Sequence, residues 1–302
     1  MLTIDEFIQE KADIVRDDSI HSARYFSEQL FQYLRELVSN KQFYHNRTEL
    51  LQGLAKFSNA ICKAKPLFGP LFNINRQLIE YIEDMPKHER NIDEIRKNVE
   101  TYLSEKEQLF RSNIERINAL GTKLIINHNT IFTLSYSSYV HDILVLARSQ
   151  KKRFVVNILK SGPKNDGELL AESLLDKGIK VKLFPDSEFV RAIRESTFVL
   201  LGTDRIMENS FINKTGSHTA AIIAREFDIP LYLVADTLKL LLRRDYLVRY
   251  DEAPATEITN LEHEKLQVQN IYFEEVSLDY VSKVLLETGI FEKDEFVKRY
   301  LD

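Results

Sequence analysis

The stretch "TIFTLSYSSYVHDILVLARSQKKRFVVNIL", residues 130–159, decides the fold. An apolar run (130–135) turns through Ser135-Tyr136-Ser137-Ser138 into a helical segment, and "RFVVNIL" (153–159) follows as a second apolar run. The same alternation continues through "KVKLFP" (180–185), "FVLLGT" (198–203) and "PLYLVAD" (230–236), with "KLIIN" (123–127) a candidate to precede them. These runs are continuous rather than alternating, which is the pattern of strands buried on both faces of a parallel sheet, and the segments between them suit crossover helices. No G-x-G-x-x-G follows the first run, so the pattern argues for a doubly wound sheet without arguing for a dinucleotide. From about Tyr250 the tail reads as a polar approach, a short strand and a helix.

Upstream the period is helical. Thr3 stands three residues before Glu6, the spacing of a capping box. Ala23, Phe26, Leu30, Leu34 and Leu37 form one apolar stripe. "KPLFGPLFN" (65–73) and "DMPKHERN" (84–91) break the pattern. The longest helix is expected from Asn91 to Leu120, with Gly121 placed to cap its end. The expected class is α/β: an all-helical N-terminal domain, 1–120, followed by a Rossmann-like domain with a parallel sheet, 121–302.

The 302 residues are 44% hydrophobic and 29% charged, with only 9 Gly and 7 Pro, a globular composition with little room for linkers. The net charge of -5 argues against a general grip on nucleic acid. Cys62 is the single cysteine, so no intrachain disulfide and no cysteine cluster for zinc can form, and a reducing compartment, the cytoplasm, is expected. No stretch approaches the roughly 18 apolar residues of a membrane span. The scattered His128, His141 and His218 lack metal-ligand spacing, and neither metal nor cofactor is expected.

Ligands of open α/β sheets bind beyond the carboxyl ends of the strands, so the residues there are the candidates. Ser135 and Ser137 offer hydroxyls at a helix start, suited to an anion or to plain N-capping. Lys160 and Lys164 flank a Gly162-Pro163 turn and read first as surface cations. Asp204 could move a proton or make a turn; Asn213 and Lys214 could hold a hydroxyl and a phosphate or turn a corner before the helix "SHTAAIIAREF", with Ala220, Ile223 and Ala224 inward.

Three segments carry a resemblance: "IFTLSYSSYVHDIL", "LLGTDRIMENSFINKTGSHTAAIIAREFDIPLYLVADTLKL" and "VQNIYFEEVSLDYV". They resemble the family shared by the alpha, beta and delta subunits of translation initiation factor 2B and the isomerases of methylthioribose-1-phosphate and ribose-1,5-bisphosphate. The resemblance implies a helical N-terminal domain, dimerisation or higher oligomerisation through the Rossmann-like domain, and a phosphosugar pocket between the two. It also implies a catalytic cysteine and aspartate in the isomerases. Asp204 matches the aspartate, catalytic only if this chain is active, while Ser135 stands at the cysteine's position. Gly162 stands where the isomerases carry arginine before proline, and His21-Ser22-Ala23 where they carry Arg-Gly-Ala. Asn213 and Lys214 match the substrate-facing pair. A serine hydroxyl is a far poorer proton carrier than a thiol. The expected function is therefore that of a non-catalytic regulatory or scaffold subunit of translation initiation, partnered by initiation factor 2 or related subunits. Its pocket would sense a phosphorylated sugar or a nucleotide, through Ser135, Ser137, Asp204, Asn213 and Lys214. The alternative is a divergent aldose-ketose isomerase of a phosphorylated pentose.

Overall fold

The protein is seen in a computed structural model that describes residues 3–18, 21–86, 91–241, 250 and 252–301. Two compact units divide the chain: Met1–Asn113 with Leu238–Leu247, and Ile114–Thr237 with Val248–Asp302.

The first unit is helical: α1 (Ile4–Asp17), α2 (Ala23–Ser39), α3 (Arg47–Ala64), α4 (Gly69–Asp84) and most of α5 (Ile92–Thr122). Its starts are written in local chemistry. Thr3 and Glu6 close the capping box on α1, and Ser22 and Asn46 cap α2 and α3. The stripe Ala23, Phe26, Leu30, Leu34 and Leu37 is buried, as are Phe7 and Phe57, whose rings stack at 6.4 Å. Each such side chain contributes about 1.5–3 kcal/mol by leaving water. The break at 65–73 is shorter than its two prolines suggest. Pro70 lies in the first turn of α4, where a missing N–H breaks no helical bond, so only 65–68 is non-helical. Of the break at 84–91, residues 87–90 lie outside the described residues.

α5 runs across the division between the units, and Gly121 lies within it instead of capping it. A Cβ there would sit 2.5 Å from Ile143 Cδ1, so the glycine serves close packing. "KLIIN" is not a strand. The amides of Lys123, Leu124 and Ile125 donate back to the carbonyls of Leu120, Gly121 and Thr122, extending the helix end as turns.

The second unit carries β1 (Thr130–Thr133), α6 (Ser138–Ser149), β2 (Val155–Leu159), α7 (Asp166–Asp176), β3 (Lys180–Phe184), α8 (Phe189–Arg194), β4 (Phe198–Gly202), β5 (Arg205–Ile206), β6 (Ser210–Lys214), α9 (Ser217–Glu226), β7 (Leu231–Val234), β8 (Phe273–Ser277), β9 (Lys283–Leu286), β10 (Gly289–Glu292) and α10 (Lys293–Tyr300). The main sheet is seven-stranded in the order β10-β9-β7-β4-β1-β2-β3. All its pairs are parallel except β9 with β10. That is the expected Rossmann-like α/β sheet.

Three expectations need correction. β3 is an edge strand, and Lys180, Lys182 and Leu183 are exposed instead of buried, because only β2 pairs with it. The tail holds three strands instead of one: β8 leaves the main sheet, and β9 and β10 form a hairpin at its far edge. In α9 the buried residues are Ser217, Ala220, Ala221 and Ala224, with Ile223 only half-buried. The stretch after β4 also folds back on itself. β5 and β6 pair antiparallel, and β6 pairs antiparallel with β8 to make a second, three-stranded sheet. No helix among the described residues is long and apolar enough to cross a membrane.

Candidate functional site

Beyond the carboxyl ends of β1, β2 and β3 the chain makes sharp turns. Ser135 and Ser161 take left-handed backbone angles, φ 58° and 62°, a conformation costing on the order of 1 kcal/mol outside glycine. They hold each other there: the Ser135 N–H donates to Ser161 Oγ at 2.8 Å. Gly167 allows the turn into α7, since a Cβ would lie 1.8 Å from the Leu159 carbonyl oxygen. That turn brings Asp166 to Ser135, whose hydroxyl donates to Asp166 Oδ2 at 3.3 Å.

Lys214 closes the group from the second sheet. Its ammonium is buried and lies 2.7 Å from Asp166 Oδ2 and 4.8 Å from the centre of the Tyr272 ring. Successive residues of a strand face opposite sides. Asn213, next to Lys214 on β6, accordingly donates to Ser217 Oγ at 2.8 Å, and the expected pair acts on two different partners. Ser137 caps α6 by accepting from Val140, and its hydroxyl lies against Gly202, where a Cβ would be 2.3 Å away. Asp204 follows two residues later, its N–H donating to the Ile212 carbonyl at 2.9 Å, which fixes it between β4 and the β5–β6 hairpin. The structure thus joins Ser135 and Lys214 through Asp166, while Ser137 caps α6, Asp204 lies between β4 and β5, and Asn213 turns to Ser217 from β6.

A segment reaching back from the tail covers the lysines. Lys164 pairs with Glu257 at 2.6 Å, Glu257 accepts from the Tyr272 hydroxyl and from Asn270, and Lys164 also lies 5.7 Å over the Tyr272 ring. Burial and the adjacent Glu257 carboxylate push the Tyr272 phenol up to about 12. Burial alone would raise Glu257, but Lys164, Tyr272 and Asn270 outweigh it and hold the carboxyl below its ordinary value.

Backbone amides at these turns are occupied in the same way. Ser161 and Gly162 donate their N–H groups to the two oxygens of Asp186, each at 2.8 Å. At the start of α9, Gly216 and His218 donate to Glu274 Oε1 at 2.6 and 2.9 Å. Along the sheet, Asp236 lies two residues beyond β7 and accepts from the Tyr139 hydroxyl at 2.5 Å, and Glu287 directly follows β9, where burial pushes its carboxyl above the ordinary value. Such N–H groups and ammonium groups are the donors that hold a phosphate. Here carboxylates of the same chain hold them.

Sequence reasoning passed over Asp166, Asp186, Glu257, Tyr272 and Glu274. Asp186 follows the third apolar run directly, so the rule that pointed to Ser135 reaches it too. Asp166 reads as an ordinary first-turn acid. Glu257 and Tyr272 sit in a polar approach that carries no local signal.

A profile of the initiation factor 2 subunit family, IF-2B, matches residues 19–293. The chain belongs to the IF-2B family. It is 26% identical over 250 residues to a translation initiation factor eIF-2B subunit 2-like protein of Pyrococcus furiosus, covering 81% of this chain and 83% of that one. It is 24% identical over 290 residues to the ribose 1,5-bisphosphate isomerase of Methanocaldococcus jannaschii, covering 94% and 91%. A subunit of the tetrameric eIF2B-beta2-delta2 complex from C. thermophilum superposes with a TM-score of 0.77 at 19% identity, over 98% of this chain and 94% of that one. The IF-2B fold is therefore shared by initiation factor subunits and by isomerases, and the site chemistry must discriminate between them.

Proposed function

We propose that this IF-2B family member is a non-catalytic subunit of the initiation factor 2B type, an oligomeric regulatory or scaffold protein whose sugar-phosphate site is closed by its own carboxylates. The observation that carries the reading is the Lys214–Asp166 ion pair at 2.7 Å, with the Ser135 hydroxyl on the same carboxylate. An isomerase of this type needs a cation free for phosphate and a group able to carry a proton. Here the cation is neutralised and, among the described residues, the hydroxyl at the cysteine's position donates to a carboxylate, which is far too weak a base to deprotonate it. Asp186 on the Ser161 and Gly162 amides and Glu274 at the start of α9 support the same reading. The likeness to a beta–delta subunit of a tetramer supports assembly with further copies or related subunits.

The test is incubation of the purified protein with ribose-1,5-bisphosphate and with methylthioribose-1-phosphate, followed by NMR for the ketose. We expect none, together with co-elution with initiation factor 2 of the same organism on size exclusion. Asp204 at the end of β4 is what favours the isomerase reading; turnover that vanishes in Asp204→Asn would establish it instead.

A further inference from the structure

The end of the main sheet opposite the candidate site carries a different surface. Three turns meet there, those leading into β1, β2 and β3. The Arg153 N–H donates to Asn127 Oδ1 and its carbonyl accepts from the His128 N–H, at 2.8 and 2.7 Å, joining the first turn to the second. Val155 stands opposite Lys180 in the β2–β3 register, and the Arg148 guanidinium lies 3.6 Å from where a Cβ on Gly178 would be, joining the second to the third. These contacts gather Lys123, Arg148, Lys151, Arg153, Lys177 and Lys180 at one end, all exposed.

Among the described residues none of these cations forms an ion pair. Elsewhere on the same unit the exposed Lys182 pairs with Glu195 at 2.7 Å, and the half-buried Lys283 and Lys293 pair with Glu292 and Asp294, both at 2.8 Å. In a chain of net charge -5, a cluster of uncompensated cations is a field with no internal use. Within the cluster stand two large aliphatic side chains facing water, Ile126, 64% exposed, and Leu175, 56% exposed.

We propose that this end of the sheet is a docking surface for an extended acidic segment of a protein partner, its carboxylates on the cations and its aliphatic residues on Ile126 and Leu175. Three neighbouring strand ends span roughly 10 Å at the spacing of a sheet, so an extended stretch of about three to four residues crosses them. Charge complementarity supplies the fast encounter and the aliphatic contacts the selectivity. Among Phe, Tyr and Trp these turns hold Phe154 alone, and it is buried, so stacking of a nucleobase is left to the smaller His128 ring and the arginine planes, while the overall negative charge opposes a polyanion.

The test uses the full chain and fluorescence anisotropy with three labelled probes of equal charge: a glutamate peptide interrupted by two leucines, an all-glutamate peptide and a single-stranded RNA. The leucine-containing peptide should bind tightest, in the range of about 10 µM. The triple variant Lys151→Glu, Arg153→Glu, Lys180→Glu should weaken it by about tenfold or more, whereas Lys293→Glu, elsewhere on the same unit, should leave it unchanged. Ile126→Ser should weaken the leucine-containing peptide alone, and circular dichroism melts establish that each variant is folded. RNA binding as tight as the peptide, no binding of either peptide, or affinity untouched by the triple variant in a folded protein would overturn the proposal.

Discussion

Asp166 determines what the site can do. Its carboxylate accepts from Ser135 and neutralises Lys214, and the pair lies largely out of water, where a charge–charge contact is stronger than at the surface. Asp166→Asn keeps the shape and removes the charge, so Lys214 becomes available to an outside anion. Isothermal titration with ribose-5-phosphate should then read binding at least about tenfold tighter than in the unaltered protein, the scale of one freed charge-assisted contact. Equally tight binding before the substitution would mean that the site is open already. The sequence alone named Ser135, because it stands at the carboxyl end of a visible strand, and Lys214, because it stands just before a visible helix start. It did not name the acid between them, because an aspartate in a first helical turn has a sufficient local reason to be there.

At the scale of elements, the site depends on carboxylates holding ends in place. Glu274 of β8 satisfies two orphan amides at the start of α9, where Gly216 takes a φ of 103° and offers no capping side chain. Glu274→Ala should therefore destabilise the second unit by about 1–2 kcal/mol in urea melts, as loss of an N-cap does. The covering segment answers to pH. Glu257 is held below its ordinary value, so its stabilising effect is present above the carboxyl's unfolded value and is lost as pH falls through the lower, folded one. Melting curves below about pH 4.5 should show that loss in the unaltered protein and a flatter acid limb in Glu257→Gln. β1, β2, β4 and β7 were legible because continuous apolar runs have one simple cause, burial on both faces. β5, β6 and β8 were not, since a short hairpin beside a buried sheet leaves neither a clean alternation nor a Gly-rich turn to read.

At the scale of the molecule, the chain does not divide where its periodicity changes. The change from helix to strand falls after Gly121, but the first unit ends inside α5 and takes in residues from 238 onward. Asn73, 3% exposed, explains part of that: its amide donates to the Leu238 and Leu240 carbonyls at 2.7 and 2.8 Å. Pairing over such a distance in sequence has no local signature. A fragment of residues 1–113 leaves that buried amide without its acceptors, which costs about 1–3 kcal/mol, so it should melt below the same unit in the full chain. Addition of a peptide of residues 237–248 should recover part of the loss, and an unchanged melting temperature would count against the role of Asn73. The carboxylates on these donor groups have a consequence for redesign. Cysteine differs from serine by one atom, so Ser135→Cys is the shortest step toward the isomerase pattern. On the proposed reading that step restores nothing while Asp166 holds Lys214 and Asp186 holds the Ser161 and Gly162 amides. Each of those acids also ties one element end to another, so on that reading substitutions that open the site would lower stability at the same positions, and an active variant would need several changes at once.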